Sequence, residues 1–361
     1  MLSLLLLAAK DVEASLARRW FFPFDSSRIP IVEGHVKWFG HFDVTTAPTP
    51  VDQVLTKPFV YLFLASVFSV YLFFVADRAA YRKGYFIEFD KKLTELNRFS
   101  TYLLRICAGI FFASLAIYSR VTHESFLITP ELKTSQAVIP YLQLAIGLCA
   151  LSRRTMPLIG LGTIALYVDA VFYYGIYHLL DYFIFLGIAY FFLVANSESA
   201  GWKRSGFIVL YATTGITLLW AAMEKFAYPY WSYSMLEVHP GLLMGLSPSG
   251  FMRASGFMEF ALTFVLLSAA SISGRALALG LEAIFVLAII PFGLLDAIGH
   301  SMIIAILLVL MIRGPTRARA MLILDGKSIW TEAYFMTGLY FLAFGMFFIM
   351  YYGFHYLAYG A

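Results

Sequence analysis

Glu259 and Glu282 stand inside stretches otherwise built mainly from Leu, Ile, Val, Ala and Phe, and Asp296 and His300 open another such stretch. An ionisable side chain at membrane depth costs about 3 kcal/mol or more, so it faces the interior of a bundle and has a partner or a task. Asp296 and His300 are four residues apart, which places them on one helical face and lets the carboxylate orient the imidazole. Glu259, His300 and Asp296 suit two tasks, passing a proton and holding a quinone headgroup; the plainer reading is interhelical hydrogen bonding. Glu224 and Lys225 are adjacent and point about 100° apart on a helix. Lys225 is therefore expected to snorkel outward while Glu224 faces the bundle. Tyr228 and Trp231 follow in an aromatic loop, where their rings offer a stacking surface to a quinone or a lipid, or form an interfacial belt.

Histidine is the commonest metal ligand, and His35 and His41, with Asp43 beside Trp38, supply part of a metal site. No HxxxH or CxxC spacing accompanies them, so distant loops would have to complete it. Cys107 and Cys149 lie in apolar segments and read as small buried side chains rather than a disulfide. Gly160-Leu161-Gly162 and the run from Gly274 to Gly280 read as close helix packing. The chain has no phosphate-binding glycine loop, no HExxH and no serine nucleophile elbow, which excludes soluble nucleotide chemistry.

The elements that must position these residues are set by composition. Of 361 residues, 61% are hydrophobic, 18% aromatic and only 13% charged, and the mean hydropathy is +0.78. That excludes a water-soluble surface and makes the lipid bilayer the main partner. The net charge of +4 is read through its distribution between loops, not as a nucleic-acid signal. About 20 apolar residues cross a bilayer. On that template the chain is an all-α polytopic bundle of about ten spans, near 59–76, 101–119, 137–151, 157–174, 179–195, 207–223, 251–270, 276–290, 296–312 and 333–352. The short leucine run at the N-terminus is either a secretory signal or a helix lying on the membrane surface. Basic residues crowd every second connection: Arg78 to Arg98, Arg153 and Arg154, Lys203 and Arg204, Arg275, and Arg313 to Lys327. The positive-inside rule then puts both termini, and all seven histidines (His35, His41, His123, His178, His239, His300 and His355), outside or at the outer ends of spans.

The stretch 140–152 can be laid on 256–268 without a gap, which sets Gln143 on Glu259, and Leu179-Leu180-Asp181 falls near Ile298-Gly299-His300. This divides the chain into an outward N-terminal arm (1–58), a leading span with a basic cytoplasmic loop (59–100), two four-helix units (101–205 and 206–320) and a trailing span (321–361). Two units of even span number share one orientation, so they are related as a parallel repeat. The pattern Gly215, Glu224-Lys225-Phe226, then Gly256-x-x-Glu259 resembles the DoxX-like four-helix membrane family, relatives of the membrane subunit of thiosulfate:quinone oxidoreductase. The first unit has Gln143 in place of Glu259 and Ser119 in place of Lys225, so the site is expected in the second. The resemblance implies a subunit of a redox system in the bacterial cytoplasmic membrane, handling quinone or protons at the outer side. It also implies a periplasmic or membrane partner that brings the electrons, with haem or copper belonging to that partner. A proton-coupled carrier or channel, in which Glu259 and Asp296 line a path, and a non-catalytic anchor stand as alternatives. The carrier reading requires the polar positions to face one continuous cavity.

Overall fold

The computed structural model describes residues 46–287, 293–313 and 327–360. The candidate ligands His35 and His41 lie outside the described residues. Long helices dominate: α1 Lys57–Arg82, α2 Ser100–Thr122, α3 Ile139–Cys149, α4 Met156–Leu179, α5 Ile184–Val194, α6 Ala200–Ala227, α7 Pro248–Ser268, α8 Ile272–Leu287, α9 Leu294–Arg313 and α10 Ile329–Tyr359. Local chemistry marks their starts. A proline occupies the first turn of α1, α3, α4 and α7, where its missing N–H costs nothing. Ser247 and Ser328 cap α7 and α10 by accepting from Gly250 N–H and Thr331 N–H, each at 3.1 Å.

Every span read from the sequence overlaps one of these helices, but among the described residues only seven are long and apolar enough to cross a membrane: α1, α2, α4, α6, α7, α9 and α10. Helices α3 and α5 have 11 residues each and α8 has 16. At 1.5 Å per residue, 11 residues reach about 16 Å, roughly half of a hydrocarbon core. The fold is thus an all-helical multi-pass membrane protein in which the apolar runs near 137–151 and 179–195 form shorter helices than a full crossing needs.

The helices close on themselves. Going round, α2 packs on α3, α3 on α4, α4 on α5, α5 on α6, α6 on α7, α7 on α8, α8 on α9, and α9 returns to α2. Small residues permit the tight contacts: a Cβ on Gly162 of α4 would sit 2.5 Å from Ile146 Cγ1 of α3, and one on Gly160 would sit 2.6 Å from the Ala189 carbonyl of α5. Gly274 packs against the Asp77 carboxylate, whereas Gly280 has open space around it. Helices α1 and α10 pack on each other outside this ring, against α6, α7 and α8. They are joined to it by phenylalanine rings, with Phe257 4.8 Å from Phe226 and 5.3 Å from Phe344 between centroids.

The two ends of the ring differ. At the basic end, Asp77 accepts from the backbone of Ala270 at 2.8 Å and of Ser271 at 2.9 Å, and binds Arg78 at 2.9 Å. Glu332 of α10 pairs with Arg82 at 2.6 Å, and Arg275 with Asp90 at 2.8 Å. At the opposite end a small antiparallel hairpin, β1 Ser125–Phe126 and β2 Lys133–Thr134, folds its apolar loop inward, with Phe126, Leu127, Ile128 and Leu132 fully buried.

Candidate functional site

A cavity of about 350 Å³ lies within the ring at the end away from the basic loops. Ile184, Phe185 and Ile188 of α5, Leu218 and Ala221 of α6, and Met302, Ile303 and Leu307 of α9 form its apolar wall. The ionisable side chains on it are Glu131, Asp181, Glu224, Lys225, Glu259, Glu282 and His300. A mainly apolar pocket with a few converging polar groups, at this volume, is the general form of a small-molecule site.

The chain brings together most of what the sequence singled out. The last two turns of α6 carry Glu224, Lys225 and, just beyond, Tyr228; the middle of α7 carries Glu259; the first half of α9 carries Asp296 and His300. Lys225 forms an ion pair with Glu259 across α6 and α7, and their side chains are 22% and 15% exposed. The expectation that Lys225 snorkels outward does not hold, because a carboxylate on the next helix draws the ammonium to the cavity wall. Glu224 also faces the cavity. Glu282 is 4% exposed and accepts from Thr263 Oγ1 at 3.0 Å, which places a carboxylate deeper than Glu259. His300 Nδ1 lies 3.0 Å from the Asp296 carbonyl and 3.6 Å from its carboxylate. A carbonyl only accepts, so Nδ1 carries the hydrogen and Asp296, fully buried, sets the ring tautomer.

Tyr228 and Trp231 are buried and lie face to face, with centroids 4.0 Å apart and planes 3° from parallel. Tyr228 donates to the Thr46 carbonyl at 3.2 Å and lines the cavity; Trp231 sits behind it. Neither belongs to an exposed belt, since the described stretch at 46–56 crosses this end and Thr49 N–H donates to the Ala227 carbonyl at 2.8 Å.

The loop before α3 and the end of α4 contribute a pair that the sequence did not single out. Glu131 pairs with His178 Nε2 at 2.7 Å, both side chains being 1% exposed, and also accepts from Tyr182. A glutamate in a loop ordinarily reads as solvated, but the Phe126-Leu127-Ile128 run beside it was a signal that this loop is tucked in. Gln143 donates to the carbonyls of Phe126 at 2.6 Å and Leu127 at 2.8 Å and so holds the hairpin. Asp181 lines the cavity, Asp169 accepts from Gln136 at 2.8 Å, and Arg105 lies over the Tyr102 ring. Among the described residues no group of three or more His, Cys, Asp or Glu side chains could hold a metal ion. The chain matches no family model, and no curated protein or solved structure proves similar to it.

Proposed function

We propose that this chain is the membrane subunit of a redox system that binds a quinone and exchanges protons at the outer side of a bacterial cytoplasmic membrane, its electrons passing to or from a partner oxidoreductase. The observation that carries the reading is the cavity: an apolar wall for a ring and its tail, and a polar wall of Lys225–Glu259, Glu282 and His300 for the oxygen atoms. The DoxX-like resemblance agrees with it. In the same reading α2–α5 and α6–α9 are the two units of a parallel duplication. In this reading α3, α5 and α8 complete ten spans with the help of their neighbours, and the basic end faces the cytoplasm.

The test is extraction of quinone from the purified chain. The wild type is expected to retain quinone, and Ala221→Trp, which plants an indole in the cavity, to lose it. Ile117→Trp, on a surface that is 59% exposed, keeps it. A chain that retains no quinone from quinone-rich membranes would sink the reading. One observation favours a carrier for a small solute: Glu259 shares one cavity with Glu224, Glu282 and His300, although Asp296 stands behind His300 and does not line it. Proton-driven solute flux in proteoliposomes, without quinone retention, would establish it instead.

A further inference from the structure

Helices α2 and α3 touch toward the basic end and part toward the hairpin. A Cβ on Gly147 of α3 would lie 3.1 Å from the Ala113 nitrogen of α2, and one on Gly109 would lie 2.7 Å from Ala150 Cβ, so small residues draw the two helices together there. Nearer the hairpin the contact opens into a groove of about 180 Å³, which shares no lining residue with the cavity inside the ring. Ile117 and Val121 of α2 and Pro140 and Leu144 of α3 form its apolar walls, and Ile117, Val121 and Leu144 are exposed. At the hairpin end of the groove stand Arg120, in the last turn of α2, and Tyr141, in the first turn of α3. Arg120 donates to the Tyr141 hydroxyl at 2.8 Å and lies 4.8 Å from the centre of its ring, which holds the guanidinium over the groove. A guanidinium has five N–H donors. Tyr141 takes one, and no described carboxylate pairs with Arg120, whereas Lys133 at the same end is paired with Glu124 at 3.3 Å.

We infer that this groove is a phospholipid site in the leaflet at the cavity end, with the lipid phosphodiester on Arg120 and one acyl chain running between Ile117 and Leu144, a helical turn deeper on either side. The inference stands apart from the quinone reading. Along the groove a cation comes first and apolar walls follow, which is the order of a phospholipid read from its phosphate inward, and basic pockets between membrane helices hold lipid headgroups in this way. Arginine suits the task because its planar fork offers two parallel N–H groups to a phosphate.

The experiment is native mass spectrometry of the full chain in detergent, titrated with dioleoyl phosphatidylglycerol and, separately, with dioleoylglycerol, which has the same chains and no phosphate. The wild type is expected to take one phosphatidylglycerol about tenfold more tightly than the diacylglycerol, the scale of one charge-assisted hydrogen bond. Arg120→Gln should bring the two within about twofold, since the amide keeps the shape and loses the charge. Leu144→Trp, which fills the groove and leaves Arg120 in place, should weaken both lipids; Leu342→Trp, exposed on α10, should change neither. Equal binding of the two lipids by the wild type, or an undiminished preference in Arg120→Gln, would overturn the site and leave ordinary lipid contact in its place. Displacement of the phosphatidylglycerol by inorganic phosphate would overturn it too, by making Arg120 a site for a free anion.

Discussion

Glu131 accepts from Tyr182 and pairs with His178 at a place where carboxylate and imidazole are both 1% exposed. Removing one partner of a buried pair leaves the other desolvated, which costs about 3–5 kcal/mol. Glu131→Ala is therefore expected to lower stability by about 3 kcal/mol, read as an earlier thermal midpoint in detergent. A shift no larger than that of the exposed Glu88→Ala would show that the pair carries no weight. Glu259, Asp296 and His300 were legible in the sequence because an ionisable residue in an apolar run has few innocent explanations. Glu131 was not, since its importance comes from a hairpin turning its loop inward. That turn is held by Gln143, which lies 17 and 16 positions along the chain from the two residues whose carbonyls it binds. Lys225 misled for a related reason: snorkelling depends on what the next helix offers, and Glu259 becomes visible as its partner only once α6 and α7 are packed.

At the scale of elements, α5 and α6 approach so closely that a Cβ on Gly187 would meet the Thr213 side chain and lie 3.2 Å from Leu210 Cα. Backbone cannot retreat as a flexible side chain does, so Gly187→Val is expected to cost about 1–3 kcal/mol by overpacking. Gly280 makes the control: it lies within α8, and no described atom comes within 4 Å of the place an added methyl group would take. Gly280→Ala should stabilise by about 0.8 kcal/mol through helix propensity alone. Thermal unfolding of both variants checks the pair, and a destabilised Gly280→Ala would mean that α8 is packed on this face after all. Hydropathy located every one of these helices, yet it overstated the lengths of α3 and α5. Apolar composition reports that a segment avoids water, not where one helix stops and the next begins: Leu179 closes α4 and Leu180–Tyr182 make a 3-10 turn before α5 starts at Ile184, while α3 ends at Cys149, two residues short of the apolar Leu151.

For the whole molecule, the ring sets a basic end, with Arg78, Arg82, Arg153, Arg154 and Arg275, against an end that bears the cavity, the hairpin and the described histidines. Lys and Arg in short loops favour the cytoplasmic side, so the cavity end is expected to face outward. This is testable by single cysteines in a background where the chain's two free thiols, Cys107 and Cys149, are replaced by serine. Met244→Cys, at a position 77% exposed on the cavity end, should react with a membrane-impermeant maleimide added to intact cells. Leu151→Cys, at a position 80% exposed beside Arg153 on the basic end, should react only after the membrane is opened. The reverse pattern would invert the chain and set the cavity toward the cytoplasm, and the redox partner of the proposed function would then have to be sought on the inner face.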